Sequence, residues 1–561
     1  MFSPFSLIFL FAFFTKASGN PVVKTPFGEV EGFEYNTGNV FLGIRYGKAP
    51  VGNLRFEKPQ KVDEWKDTLR ATDFGHACFQ TRTPVPNYAN LSFSEDCLMM
   101  NIMTPKAPPP TREGYPVLFY IHGGGFEYRS ATELGYKLIV DNFISRGIAV
   151  VTFSYRLGPL GFLTTGDDIL AGNLGLWDQK LAMDFAHELL PSFGANVKEI
   201  TIAGVSAGSA SVSAFTLSPH TNTLFQRAIQ ISGSMFATYS IDDRTDSSSL
   251  LFFDAIGCRG SSKEILKCLK EKDVGEFEKT AVAVGGDYYQ VAGVRYHPRL
   301  DYDFFPSDFH TLIRNGPKIP SIIGLTDAEM GLSVFDKSNG SAFAAPNYSK
   351  YTLDDFRVSL KRMAFHQDEV YEHLAAFYAT PTESEADDPL FPIRKHLQIA
   401  SDLSFVIPTA QEVIEKLKND WPVYLYLEDY YSNLPVLDDY PIKGAYHANE
   451  MIYVFGLDQP LPIVGNEDDL KFRDVYVKMM ADFIESGEAK VQEVQWDRAE
   501  KGYHRFMHLN LESEMKEEGY FEESVRFWTE NIVKKVSPEM LKHMVPVVKQ
   551  VASAVHDHSE F

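Results

Sequence analysis

Basic residues never gather into a block in this chain, and aromatic residues never interleave with them. With a formal net charge of −22, that makes nucleic acid a poor partner, and the acidic excess reads as a solvated surface. Cysteine is scarce. The four present, Cys78, Cys97, Cys258 and Cys268, match no zinc-ligand spacing and form no Cys-x-x-Cys, so neither a zinc site nor a dithiol redox centre is expected from them. His556-Asp557-His558 reads as terminal tail, and no metal or cofactor is expected. Beyond the N-terminus no apolar run reaches the ~18–20 residues of a bilayer-spanning helix. Repeats with a period of about 20–50 residues are missing. So are low-complexity tracts and long Pro/Gly/Ser linkers; "KAPPPTREGYP" at 106–116 comes nearest and reads as a surface loop.

What is present is the composition of a large globular protein, 44% hydrophobic, 13% aromatic and 23% charged over 561 residues. At ~150 residues per domain the length allows several domains, but α/β enzymes also grow one large sheet, and a single domain over 20–561 is expected. "MFSPFSLIFLFAFFTKASGN" is an apolar run followed by Ala17-Ser18-Gly19, small at the positions a signal peptidase reads. Residues 1–19 are therefore expected to be a cleaved signal peptide. The cysteines are even in number and lie in two local pairs, and sequons occur at Asn90, Asn339 and Asn347, which fits the secretory pathway. Paired sequentially, the cysteines would close two short loops, each contributing about 2–3 kcal/mol.

Strand-like runs punctuate the first half: "PVLFYIH" (116–122), "IAVVTFSYR" (148–156), "EITIAG" (199–204) and "RAIQISGS" (227–234). "PSIIGLT" (320–326) and "PVYLYLEDY" (422–430) resume the pattern, and helical stretches such as "NLGLWDQKLAMDFAHELLPSFG" separate several of them. Strands alternating with helices predict an α/β fold, a mostly parallel sheet covered on both faces, with ligands at the carboxyl ends of its strands.

Four of those loops carry chemistry. In "EITIAGVSAGSASVSAF" (199–215) a strand turns abruptly into a helix through Gly204-Val205-Ser206-Ala207-Gly208. The glycines leave room for the tight turn and Ser206 is pushed out at its apex, the geometry of a nucleophile elbow. "HGGGF" (122–126) follows the strand "PVLFYI", and three successive glycines let bare backbone N–H groups approach a substrate, as an oxyanion hole requires. A serine nucleophile needs a base and an orienting acid. His447, in "YPIKGAYHANEMIYVFG", follows the strand "PVYLYLEDY", and "IIGLTDAEMG" puts both Asp327 and Glu329 just beyond the strand at 320–325. Spacing alone does not choose between those two acids.

The chain resembles the type-B carboxylesterases, the α/β-hydrolase family that also holds the cholinesterases and their adhesion-protein relatives. The resemblance runs through "FLGIRYGKAPVGNLRF" (41–56), "SEDCLMMNI" (94–102), "HGGGF", "YRLGPLGFL" (155–163), "NLGLWDQ" (173–179), "GVSAGSAS", "SPHTNTLFQRAIQISGS" (218–234), "GAYHANE" (444–450) and "RFW" (526–528). It implies Ser206 as nucleophile, His447 as base and Glu329, not Asp327, as acid. It implies the backbone N–H groups of Gly124, Gly125 and Ala207 as oxyanion donors. It also implies disulfides Cys78–Cys97 and Cys258–Cys268 and the ion pairs Arg55–Glu95 and Arg156–Asp178.

The departures are informative. Val205 stands where the family elbow often has glutamate, and Met330 where it usually has glycine. Cholinesterases also carry a tryptophan about ten residues before the cysteine equivalent to Cys97, to hold a quaternary ammonium. Here "TRTPVPNYANLSFSEDC" has no tryptophan, with Asn87 near that place and Tyr88 a weak substitute. The expectation is hydrolysis of a neutral ester to acid and alcohol through an acyl-enzyme, by a small-molecule esterase and not a cholinesterase. A histidine base acts only when neutral, so the rate should fall below about pH 6–7. Two alternatives stand beside this: an inactive adhesion or binding protein on the same fold, and a lipase or hormone-ester hydrolase. The final "HSEF" is similar to the His-x-Glu-Leu endings of lumenal carboxylesterases, with Phe561 for leucine, so retention in the endoplasmic reticulum or secretion is expected.

Overall fold

All six apolar runs read as strands are strands, and they lie in one sheet. The computed structural model describes residues 19–541 and 544, apart from 81–90, 242–243, 285–293, 338–342, 346, 433–438, 457–464, 503–504 and 518. Among them the main sheet has 11 strands. In chain order these are β1 (Phe33–Tyr35), β2 (Gly38–Arg45), β3 (Met99–Pro105), β4 (Tyr115–Ile121), β5 (Ala149–Phe153) and β6 (Ala195–Val205). Then come β7 (Arg227–Ile231), β8 (Ser321–Thr326), β9 (Val423–Glu428), β10 (Phe506–Leu509) and β11 (Glu514–Lys516). Their spatial order is β11-β10-β9-β8-β7-β6-β4-β5-β3-β2-β1. Neighbours from β10 to β5 pair in parallel, and antiparallel strands close the two edges.

The parallel strands read as unbroken apolar runs because both faces are covered. In β4 every residue is buried. Val117, Phe119 and Ile121 join the apolar core on one face, and Leu118 and Tyr120 join the core on the other, the two-residue period of a strand. The first face packs on α1 (Leu174–Leu189) and α2 (Ala207–Leu217), the second on α5 (Glu467–Ser486). Helix α4 (Glu450–Phe455) joins the second face, and α3 (Ile407–Lys418) joins the first, where it bears on the site. The loop read at 106–116 is exposed from 106 to 113, and the chain is buried from Gly114 into β4.

Both disulfides form, Cys78–Cys97 and Cys258–Cys268, closing spans of 19 and 10 residues. Arg156 meets Asp178 through two bonds of 2.7 Å. Arg55 grips Glu95 the same way (2.5 and 2.7 Å) and donates onward to the carbonyl of Lys272 at 2.7 Å, tying three segments together. Both pairs are buried, where losing one partner strands a charge at a cost of about 3–5 kcal/mol. Among the described residues no helix is long and apolar enough to cross a membrane. Residues 1–18, Asn90, Asn339, Asn87, Tyr88 and the terminal HSEF lie outside the described residues. Asn347 is exposed, just before the short turn Tyr348–Lys350.

Candidate active site

β6 ends at Val205 and α2 begins at Ala207, so Ser206 alone makes the turn, at φ 58° and ψ −125°. That conformation costs a non-glycine residue of order 1–3 kcal/mol and persists only where its surroundings impose it. Here the Ser206 N–H donates to the carbonyl of Ile231 at 2.9 Å, while its own carbonyl accepts the first helical bond from Ala210. The two flanking glycines are demanded by close approach. A Cβ on Gly204 would lie 2.5 Å from the carbonyl carbon of Gly208, and one on Gly208 only 2.1 Å from the oxygen of Ile121. Strand, turn and helix are pressed together too tightly for any side chain.

The glycine loop after β4 lies against this turn. A Cβ on Gly123 would stand 2.6 Å from the Val205 oxygen and 3.1 Å from Ser206 Cβ. Gly124 and Gly125 take φ of 104° and 58°, open to glycine at little cost. Among the described residues no acceptor takes up the N–H of Gly124, Gly125 or Ala207. These three donors, at a sharp turn and a helix start, can serve an incoming oxyanion. His122 is no competing base: burial pushes its imidazole down to about 4, it stacks on Tyr155 with centroids 4.4 Å apart, and its Nδ1 meets the Gly123 carbonyl at 2.9 Å.

Beyond β8 the two candidate acids part company. Glu329 is 1% exposed, and its Oε2 lies 2.7 Å from His447 Nδ1. Its Oε1 accepts the Ser232 hydroxyl at 2.6 Å and the Thr326 N–H at 2.8 Å. Three donors thus converge on one buried carboxylate. Asp327 stays exposed and accepts the Ala445 N–H at 2.8 Å, bracing the loop that carries His447. The backbone adds a second brace, from His447 N–H to the Glu329 carbonyl at 3.0 Å. Met330 needs no glycine: its φ of −88° suits any residue, and its N–H donates to Ser401 at 3.1 Å.

Phe405 stacks on the His447 ring with centroids 4.3 Å apart. The imidazole is thus fixed on one face and at Nδ1, while Nε2 has no hydrogen-bond partner among the described residues. A ring held with its Nδ1 hydrogen on a carboxylate can take a proton at Nε2. The five loops involved follow β4, β6, β7, β8 and β9, all at the carboxyl end of one parallel sheet. Those after β6 to β9 are linked in series, Ser206 to Ile231, Ser232 to Glu329, Glu329 to His447. Ser232 and Phe405 went unread in the sequence. Ser232 had a signal, its place at the end of "RAIQISGS"; Phe405 had none, because only the fold brings it to His447.

The sequence profile of the carboxylesterase family matches residues 19–528. The chain is 31% identical to gut esterase 1 of Caenorhabditis briggsae over 538 residues, covering 91% of this chain and 92% of that one. It is 29% identical to a carboxylic ester hydrolase of Bombus ignitus, covering 88% and 90%. It is 31% identical to the bile salt-activated lipase of Bos taurus, covering 80% and 75%. A family match across nearly the whole length, on an 11-stranded sheet whose loops assemble these residues, makes the chain a member of the carboxylesterase family, the carboxylic ester hydrolases of α/β-hydrolase fold.

Proposed function

We propose that the chain is a serine esterase acting on neutral carboxylic esters, with Ser206 as nucleophile, His447 as general base and Glu329 as the acid that orients it. The observation that carries this reading is the Glu329–His447 bond of 2.7 Å, which leaves His447 Nε2 without a partner in the loop cluster that holds Ser206 at its strained turn. His447 takes the Ser206 proton as Oγ attacks the ester carbonyl. The N–H groups of Gly124, Gly125 and Ala207 receive the oxyanion, each donor worth on the order of 10²–10³ in rate. His447 then protonates the departing alcohol, and water activated the same way releases the acid from the acyl-enzyme. A neutral substrate is favoured by Val205, buried and uncharged beside the serine where a choline ester would be served by a carboxylate. The two disulfides and exposed Asn347 support a lumenal or extracellular setting with a glycan at Asn347.

The test compares hydrolysis of short and medium nitrophenyl esters with that of a choline ester, by the protein and its Ser206→Ala variant. Turnover of the neutral esters, lost in the variant, is expected. Preference for the choline ester overturns the substrate class, and a folded protein with no turnover returns the binding-protein reading. The likeness to a lipase bears on chain length, so the acyl-length profile is the second readout.

A further inference from the structure

Four consecutive residues, from the last of β7 onward, carry much of the site. The Ile231 carbonyl accepts the Ser206 N–H at 2.9 Å. Ser232 donates its N–H to the Gly324 carbonyl at 2.9 Å and its hydroxyl to Glu329 at 2.6 Å, from a φ of 52° that disfavours a residue with a side chain. Gly233 backs the elbow: a Cβ there would lie 2.3 Å from the Ser206 carbonyl oxygen, and its own carbonyl accepts the Ser209 hydroxyl at 2.7 Å. Ser234 donates its hydroxyl to Glu412. A strained turn in contact with two parts of the site needs a hold from outside.

That hold comes from α3. Glu412 and Lys416, one helical turn apart, are 1% and 0% exposed and form an ion pair of 2.6 Å. Lys416 Nζ donates to Gln230 Oε1 at 2.8 Å, and Gln230 Nε2 reaches the Gly233 carbonyl at 3.4 Å. Glu412 Oε2 takes the Ser234 hydroxyl and, at 2.9 Å, the Ser213 hydroxyl from α2. One charge therefore grips the strand end before the turn, the other grips the turn's far side, and Ser213 joins both to the helix behind Ser206. An apolar pair of this size would fill the space without the desolvation that two buried charges cost. What it could not do is fix the direction of two hydroxyls and an amide.

We propose that the buried Glu412–Lys416 pair is a positioning device for the active site, clamping the turn 232–234 so that Ser232 presents its hydroxyl to Glu329 while Gly233 backs Ser206. The pair acts through the turn and touches no substrate. The inference rests on the triad reading above.

The full chain is compared with Ser234→Ala, which cuts the clamp at the turn and frees the Phe236 N–H, Ser213→Ala, which cuts its tie to α2 and frees the Met235 N–H beyond the turn, Ser234→Thr, and the double variant Glu412→Gln/Lys416→Met. Each is measured for kcat and KM on a short nitrophenyl ester, for Tm, and for the rate of Ser206 labelling by a fluorophosphonate. Ser234→Ala and the double variant should lose about 10–100-fold in kcat with KM within about twofold, as small misplacements of reacting groups do. Labelling should slow in parallel, Ser234→Thr should recover most of the loss, and Ser213→Ala should lose far less. Wild-type kcat in folded Ser234→Ala overturns the proposal, as does a loss in Ser213→Ala and Ser234→Ala alike that merely follows Tm. If the double variant does not fold, Ser234→Ala decides. Failure of the fluorophosphonate to label the wild type, or activity retained by Ser206→Ala, overturns the triad reading itself and is read before any clamp variant.

Discussion

The elbow at 204–208 and the acid loop at 326–330 stand at the ends of strands β6 and β8 and contribute to one site, yet they are built on opposite plans. The elbow is held by backbone and by the absence of side chains: Gly204 and Gly208 leave no room for a Cβ, and the Ser206 amide is pinned to Ile231. The acid loop is held by side chains and amides that come from far along the chain, Ser232, Ser401, Ala445 and His447. A contiguous motif can specify the first kind of structure. The second exists only once the sheet has assembled.

Within the acid loop the contrast sharpens to two carboxylates. Glu329 is buried under three donors, whereas Asp327, two residues earlier, faces solvent and braces a backbone amide. The same functional group acts on the imidazole in one case and on loop geometry in the other. Burial and donor count decide which.

The largest effect should come from the elbow. Ser206→Ala is expected to lower kcat for a nitrophenyl ester by on the order of 10⁴–10⁶ while leaving Tm unchanged within a few degrees. Residual activity above about 1% would remove Ser206 from the chemistry. Next comes the pair of acids: Glu329→Gln should cost on the order of 10³–10⁴ in kcat, as loss of the orienting acid does in other triads. Asp327→Asn keeps an oxygen for the Ala445 N–H and should stay within about threefold; equal losses in both variants would erase the distinction drawn between them.

Gly208→Ala tests the steric plan of the elbow. Its methyl group has no space beside the Ile121 oxygen, so denaturant unfolding should report a loss of about 1–3 kcal/mol. An unchanged midpoint would mean the backbone shifts freely there. The smallest effect, taken per pH unit, concerns Asp402, as buried as Glu329 but with, among the described residues, only the hydroxyls of Tyr378 and Ser524 for hydrogen-bond partners, at 2.7 and 2.6 Å. Burial pushes its carboxyl up to about 7. The folded protein then keeps a proton that the unfolded chain releases above about pH 4. This contribution to stability is complete below pH 4, is lost as pH rises to about 7 and is flat beyond. Asp402→Asn cannot ionise, so its stability relative to wild type should improve between pH 4 and 7 by at most about 1.4 kcal/mol per pH unit. A constant difference across that window would contradict the buried, protonated carboxyl.

Much of the fold was legible because parallel strands buried on both faces must be apolar throughout, and six such runs stood out. The edge strands β1, β2, β3, β10 and β11 were not read. β1 and β11 carry exposed residues and short runs whose pattern resembles loop, and β2 breaks register between Phe41 and Ile44.

By itself the sequence determined the elbow, the glycine loop and the alternation of strands and helices, since each depends on neighbours within a few residues and on the space a Cβ needs. Spacing left Glu329 and Asp327 level and the family resemblance implied Glu329; only the tertiary structure brings it to His447, sets Phe405 over the imidazole, and places a buried ion pair on α3 against the turn behind both Ser206 and Glu329. Those contacts join residues tens to hundreds of positions apart, and neither burial nor direction at such separations is written in any local stretch.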